Sequence, residues 1–165
     1  MIGKYTQKLS EKPIWGNSSY LSITNYETVD GTNSIGYLIE EDADGDVILD
    51  SNYHNWTEGA LSDFWGNHNT NVMREKGLDG IVPLVDSFNN GNIGDNQGKT
   101  DWYVPSCGQL ALIVLNMAAI SSVLLAIGGD DYETLYNYWC STESTIDTAW
   151  RIDMSTSKVH TANKS

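Results

Sequence analysis

Positive charge is scarce in this chain: 165 residues hold 9 Lys plus Arg against 22 Asp plus Glu, a formal net charge of −13. A nucleic acid would be repelled by that balance, so a DNA- or RNA-binding module is excluded. Cysteine is equally sparse. Cys107 and Cys140 are the two present, too few for a disulfide framework; two free thiols in a reducing compartment is the favoured reading, with a single pairing as the alternative. Met1 to Tyr20 has no apolar segment of the secretory type, so no signal peptide is expected there. One long apolar run exists, Leu110 to Ile127, about the length of a minimal membrane span. Asn116, Ser121 and Ser122 interrupt it, Gly128 and Gly129 follow it, and no basic cluster flanks it. It reads as buried core helix, and no membrane partner is expected.

What remains is globular. Apolar residues make up 40% and charged residues 19%, which suits one domain large enough to bury a core and excludes a coiled coil. The polar and aromatic content is unusual, with 15 Gly, 9 Tyr and 6 Trp against 2 Phe, and abundant Asn, Ser and Thr. Tyr, Trp, Asn, Ser and Gly are what adaptable recognition surfaces use, because they bind at low entropic cost.

Residues 1 to 30 carry scattered turn formers and no period, so they read as an N-terminal arm or edge strand, with the main domain over 31–165. Two apolar runs around Asp44-Gly45 predict a hairpin. Glu40, Glu41, Asp42, Asp44, Asp46 and Asp50 crowd it. The glycine comes too early for an EF-hand and the last ligand is missing, so the tip reads as solvated carboxylates and not as a metal site. A Trp- and Asn-rich connector, Asn52 to Asn69, precedes a helix that Asn69 or Thr70 would cap and Pro83 would kink or divide. Residues 89 to 100 read as loop, and Asp101 to Val104 as a short strand stopped by Pro105.

Ser106 followed by Gln109 is the S-x-x-Q capping box and predicts a helix start. That helix, apolar nearly all round, should be buried on most sides. A second short one, Ser121 to Ile127, should end at Gly128. Beyond Tyr136 the chain predicts three strands, over residues 136–143, 147–154 and 157–164. In the middle one, Thr148, Trp150, Ile152 and Met154 share one face, and Asp147, Ala149, Arg151 and Asp153 the other.

Catalytic chemistry finds little support. His54, His68 and His160 follow no zinc spacing. His68 reads as a loop or cap residue and His160 as a surface strand residue. Cys107, at a predicted helix N-terminus, is the best nucleophile candidate, but no histidine is assignable as its base. No catalytic residue, metal or cofactor is therefore expected.

Asp101-Trp102-Tyr103-Val104-Pro105-Ser106, then Gln109-Leu110, Ala126-Ile127-Gly128-Gly129, Tyr138-Trp139-Cys140-Ser141-Thr142-Glu143 and Ala149-Trp150 follow one another in order. Together they resemble a family of C-type-lectin-like domains from gut bacteria and their phages, with the signature DWYLPS…EL…AIGG…YWSSTE…AW. The likeness spans roughly residues 35 to 164. It implies an α+β fold with short twisted antiparallel sheets and two or three helices, akin to formylglycine-generating enzymes and to retroelement-diversified receptor-binding proteins of phages. Three departures stand out. Cys140 replaces the usual Ser, the helix after Leu110 is more apolar than usual (as though one side faced another subunit), and the usual last strand does not follow Ser165.

The resemblance implies that Tyr138, Trp139, Ala149 and Trp150 are scaffold, that Glu143 is paired with backbone, and that Asp101 caps or braces the same region. The calcium-site motifs of animal lectins are missing, as is the reactive-cysteine motif of the sulfatase-activating relatives. Ligand contact falls to Ser144, Thr145, Ile146, Asp147, Arg151, Asp153, Ser155, Thr156, Ser157, His160, Thr161 and Asn163. The expected function is non-enzymatic receptor binding by a virion protein, a fibre, tail or capsid decoration. Its partners would be a host-surface glycan or protein, other virion proteins, and further copies of itself, with a trimer as the expected assembly. A bacterial cell-surface adhesin or lipoprotein domain is the alternative, and a cysteine-dependent enzyme a third reading.

Overall fold

The computed structural model describes residues 15–16, 40–41, 47–48, 59–93, 98–129 and 137–165. Among them the chain forms a mixed α+β unit: four helices and one antiparallel sheet. The helices are α1 (Gly66–Glu75), α2 (Ile81–Asn89), α3 (Cys107–Leu115) and α4 (Met117–Ala126). The strands are β1 (Glu40–Glu41), β2 (Val47–Ile48), β3 (Asn137–Glu143), β4 (Thr148–Asp153) and β5 (Lys158–Asn163), in the order β1-β2-β5-β4-β3. So the described helices number four, not two or three, and the described strands lie in a single sheet.

The three long strands form where alternation and turn residues placed them. β4 pairs with β5 from Thr148 opposite Asn163 to Asp153 opposite Lys158. The expected hairpin exists as the pair β1 and β2, with Glu40 opposite Ile48. Its acidic tip lies outside the described residues, as do His54, Trp56 and all of the expected N-terminal arm except Trp15 and Gly16.

Both faces of the sheet are covered. Trp150, Ile152 and Val159 pack with Leu110, Ala111 and Val114 of α3 and with Leu61. Ala149 on the opposite face packs with Trp15, Met73, Leu78, Ile81 and Val82, and half-buried Trp139 lies against that group. β3 carries an irregularity between Trp139 and Glu143, where its register with β4 shifts. There the Cys140 carbonyl accepts the Trp15 indole N–H at 2.7 Å, and the Ser141 N–H donates to the Pro105 carbonyl at 2.8 Å.

Several local expectations are corrected. α1 starts at Gly66, not at Asn69 or Thr70, which are buried inside it. The Thr70 hydroxyl bonds the Gly66 carbonyl at 2.8 Å. The break before α2 is at Gly77, with φ of 69°, a left-handed conformation that suits glycine; Pro83 sits in the first turn of α2, where its missing N–H costs nothing. Residues 101–105 form no strand. Side chains satisfy their backbone instead: Asn89 grips both the N–H and the carbonyl of Trp102 (2.9 and 3.0 Å), and the Val104 N–H donates to the Thr70 hydroxyl at 3.0 Å.

The capping box forms as predicted, Gln109 Oε1 accepting the Ser106 N–H at 3.1 Å. α3 then stops at Asn116, whose side-chain amide donates to the Leu112 carbonyl at 2.8 Å and so satisfies an end the helix leaves open. α4 departs at 73° and begins at Met117, not at Ser121. It ends before Gly128, whose φ of 72° fits the expected stop. Among the described residues no single helix is long and apolar enough to cross a membrane; only the bent pair α3 and α4 passes that test, by length and composition.

Candidate functional site

β3 and β4 are joined by residues 144–147, and this turn is held tightly. The N–H groups of Ser144 and Thr145 both donate to the Thr148 carbonyl at 3.1 Å. The hydroxyls of Thr145 and Thr148 bond at 2.7 Å, and the Lys164 N–H reaches the Asp147 carbonyl at 2.9 Å. Ser144 is 3% exposed, so it belongs to the frame and not to an open surface. Ile146 and Asp147 are exposed, Thr145 is half-buried, and exposed Asn163 stands at the same end, opposite Thr148.

The other expected contact residues lie elsewhere. Arg151 and His160 face each other mid-sheet, Arg151 Nε donating to His160 Nε2 at 2.7 Å. The guanidinium stands 5.9 Å from the centre of the Trp139 ring, so both side chains are half-buried and engaged. Asp153, Ser155, Thr156 and Ser157 form the turn at the far end. There Asp153 Oδ1 accepts the Ser155 N–H and hydroxyl (2.8 and 2.6 Å) and the Thr156 N–H (3.3 Å). Partial burial alone would raise the Asp153 carboxyl, but these bonds outweigh it and hold it below its ordinary value. Thr161 is exposed, and by strand alternation on the face opposite His160. The two turns are separated by the length of β4, roughly 17 Å at about 3.3 Å per residue. One continuous patch is therefore not what the fold builds; it builds two polar turns and a braced pair between them.

Beneath the 144–147 turn lies a buried charge pair that the sequence did not announce. Lys164 and Glu143, both with side chains sealed from water, bond to each other. Glu143 was expected on backbone groups; the ammonium of Lys164 is a partner the structure gives it. Lys164 Nζ also donates to the Ile146 carbonyl at 2.9 Å and stands 4.8 Å from the centre of the Trp15 ring. A cation removed from water needs such compensation, and these groups are distant from it in sequence.

A second buried polar centre sits where 59–65, α1, α3 and β3 meet. The Asp63 carboxylate accepts from the Trp65 N–H (2.9 Å), the Asn69 side-chain amide (2.9 Å) and the Thr142 hydroxyl (2.7 Å). The Thr142 hydroxyl in turn accepts the Cys107 N–H at 2.8 Å. The Asp63 carbonyl takes the Ser106 hydroxyl at 2.6 Å and the Gly108 N–H at 3.1 Å. That approach requires glycine, because a Cβ at Gly108 would lie 2.3 Å from the Leu61 carbonyl oxygen. The part of the expected connector around Leu61 and Asp63 is thus core.

This centre fixes an exposed aromatic pair that sequence reasoning passed over. Trp65 is 64% exposed and Phe64 41%, and His68, exposed on α1 and not in a loop, meets the Trp65 ring edge-on at 6.3 Å. Since Asp63 bonds both Trp65 and Thr142, the pair stands at the same end of the sheet as the 144–147 turn. The signal for it was the Trp-rich composition of 52–69, which carried no period to say which ring faces out.

Cys107 opens α3 as expected, yet both thiols are free and fully buried. Burial pushes the Cys140 thiol well up, and its hydrogen bond with Cys107 and the nearby Asp63 push the same way. Asp101 is exposed, outside any helix or strand, and among the described residues it caps no helix. Among the described residues no three His, Cys, Asp or Glu side chains are grouped to hold a metal ion. No family model, characterised protein or solved structure matches the chain.

Proposed function

We propose that the chain is a non-enzymatic binding module with a C-type-lectin-like fold, carried on a phage particle and contacting a glycan or protein on a bacterial surface. The observation that supports this best is Trp65, an indole left 64% open to water beside a sealed hydrogen-bond centre. Exposed aromatic rings on a rigid base are the anchors that dominate binding interfaces. Ile146, Asp147 and Asn163 at the same end supply an apolar tip and adaptable polar groups. Arg151 and His160 brace the sheet in this reading. The sealed thiols favour binding over chemistry, since a buried sulfur offers a substrate nothing to meet.

Assembly is part of the reading. α4 and its C-terminal end leave Val123, Leu125 and Ile127 between 55% and 60% exposed, and Val123 and Ile127, with Ala119, Ile120 and Leu124, line a shallow apolar depression of about 380 Å³. Residues 102 to 129 carry no charge at all, so this is the surface on which copies of a −13 chain repel least. We assign it to contact between subunits.

Fluorescently labelled protein mixed with a panel of gut bacteria, read by flow cytometry, tests the binding claim. The wild type stains at least one strain, and Trp65→Ala with Asp147→Ala lowers staining at least roughly tenfold, the loss of one hot-spot anchor, with an unchanged circular dichroism spectrum. Equal staining by the variant, or none by the wild type on any strain, defeats the proposal.

A further inference from the structure

We propose that Cys107 and Cys140 form a disulfide site: their side chains meet inside the core, and an oxidant that reaches them before the core seals joins them. α3 supplies one sulfur and β3 the other. Cys107 is the first residue of α3, and Cys140 lies in the middle of β3. Both are 0% exposed and share one core cluster with Leu61, Leu110, Ala111 and Trp150. Trp139, the neighbour of Cys140 in the strand, lies against the cluster on the other face of the sheet.

The two segments that carry the sulfurs are pinned to each other. The Ser141 N–H donates to the Pro105 carbonyl at 2.8 Å, and the Cys107 N–H donates to the Thr142 hydroxyl at 2.8 Å. Residues 105–107 and 140–142 are therefore held side by side whatever the state of the sulfurs. Within that frame the Cys140 thiol is in hydrogen-bond contact with the Cys107 thiol. Sulfurs that already meet can bond by turning about their own Cα–Cβ bonds, with no travel of the backbone.

A low-molecular-weight disulfide such as oxidised glutathione is the oxidant. One cysteine, having given up its proton, attacks that disulfide and releases one glutathione thiol, leaving a mixed disulfide. The other cysteine then attacks the mixed disulfide, and the second glutathione departs as its thiol. The chain loses two hydrogens, and the oxidant is reduced to two thiols. Burial sets the timing. In the closed fold burial, Cys107 and Asp63 keep Cys140 a neutral thiol, whereas the reacting form is the thiolate. The bond therefore forms while the chain folds or during an opening of the core, and the closed core then shields it. Its ring, residues 107–140, contains α3 and α4, so it ties the start of the apolar helix pair to the sheet. The proposal asks nothing of the Trp65 end, so it and the binding reading fail separately.

The test holds the reduced full chain with oxidised glutathione in dilute urea, below the unfolding midpoint, so that the core opens transiently. The product is quenched with acid, then denatured and treated with iodoacetamide. The expected product is a monomer lighter by two hydrogens that takes up no iodoacetamide; with two cysteines in the chain, that mass identifies the bond. Its thermal midpoint, measured after the urea is removed, rises by at least about 5 °C, and dithiothreitol reverses the rise in the unfolded chain. Cys140→Ser shows no such rise. Two alkylated cysteines, a glutathione adduct or a linked dimer as the main wild-type product, a lowered midpoint, or an equal rise in Cys140→Ser overturns the proposal.

Discussion

α3 and α4 are adjacent helices of nearly the same length, both built largely from Leu, Ile, Val and Ala, and they meet opposite fates. α3 buries Leu110, Ala111 and Val114 against the sheet. α4, turned away by 73° at Asn116, buries only Leu124 fully. Apolar content did not set the difference; neighbours did. α3 starts at a capping box anchored to Asp63 and comes within glycine distance of Leu61, whereas α4 has no such tether among the described residues. A uniformly apolar stretch states that something must cover it, and only the fold states whether the cover is its own chain.

The comparison can be broken where the core side is most costly to disturb. Lys164→Met leaves the Glu143 carboxylate buried without its cation and is expected to cost about 3–5 kcal/mol in denaturant unfolding; Lys164→Met with Glu143→Gln should recover part of that. Leu110→Ala in α3 is expected to cost about 3 kcal/mol, against less than about 0.5 kcal/mol for Leu125→Ala in α4. Similar losses from both would refute the contrast drawn between the helices. Gly108→Ala, which forces a methyl into the Leu61 carbonyl, should cost about 1–3 kcal/mol.

Leu125→Glu sharpens the other half. Monomer stability should barely move, while sedimentation velocity should report a smaller particle; an unchanged mass would remove α4 as the subunit contact. The smallest effect concerns Asp153. Its folded carboxyl is held below the unfolded value of about 3.9, so its contribution is present above that pH and lost as the pH falls through the folded value. Because the turn is largely solvated, the loss stays below about 0.5 kcal/mol, and Asp153→Asn should flatten that part of a melting-temperature profile taken from pH 5 to pH 2.

The elements legible in the sequence were those specified locally. β3, β4 and β5 carry alternation with turn residues between them, Ser106 and Gln109 state a helix start three residues apart, and Gly128 states a stop. What escaped is specified at a distance. Nothing in the sequence marks Lys164 as buried; Glu143, Ile146 and Trp15 surround it only in the fold. Asp101 to Val104 has a strand's composition, but Asn89 and Thr70 take the hydrogen bonds that a neighbouring strand would have made. For the site, the polar turns were visible as composition. Their separation to opposite ends of β4, and the outward face of Trp65, depend on register and packing.

Among the described strands β3 is a long edge strand, the kind of border on which a stray segment from another molecule can grow a fibril. Here the border is already spoken for: the Pro105 carbonyl holds the Ser141 N–H, and the irregular stretch before Glu143, plugged by the Trp15 indole, spoils the flat register that strand addition requires. Crowded copies of the chain can therefore stand side by side without stitching their sheets together.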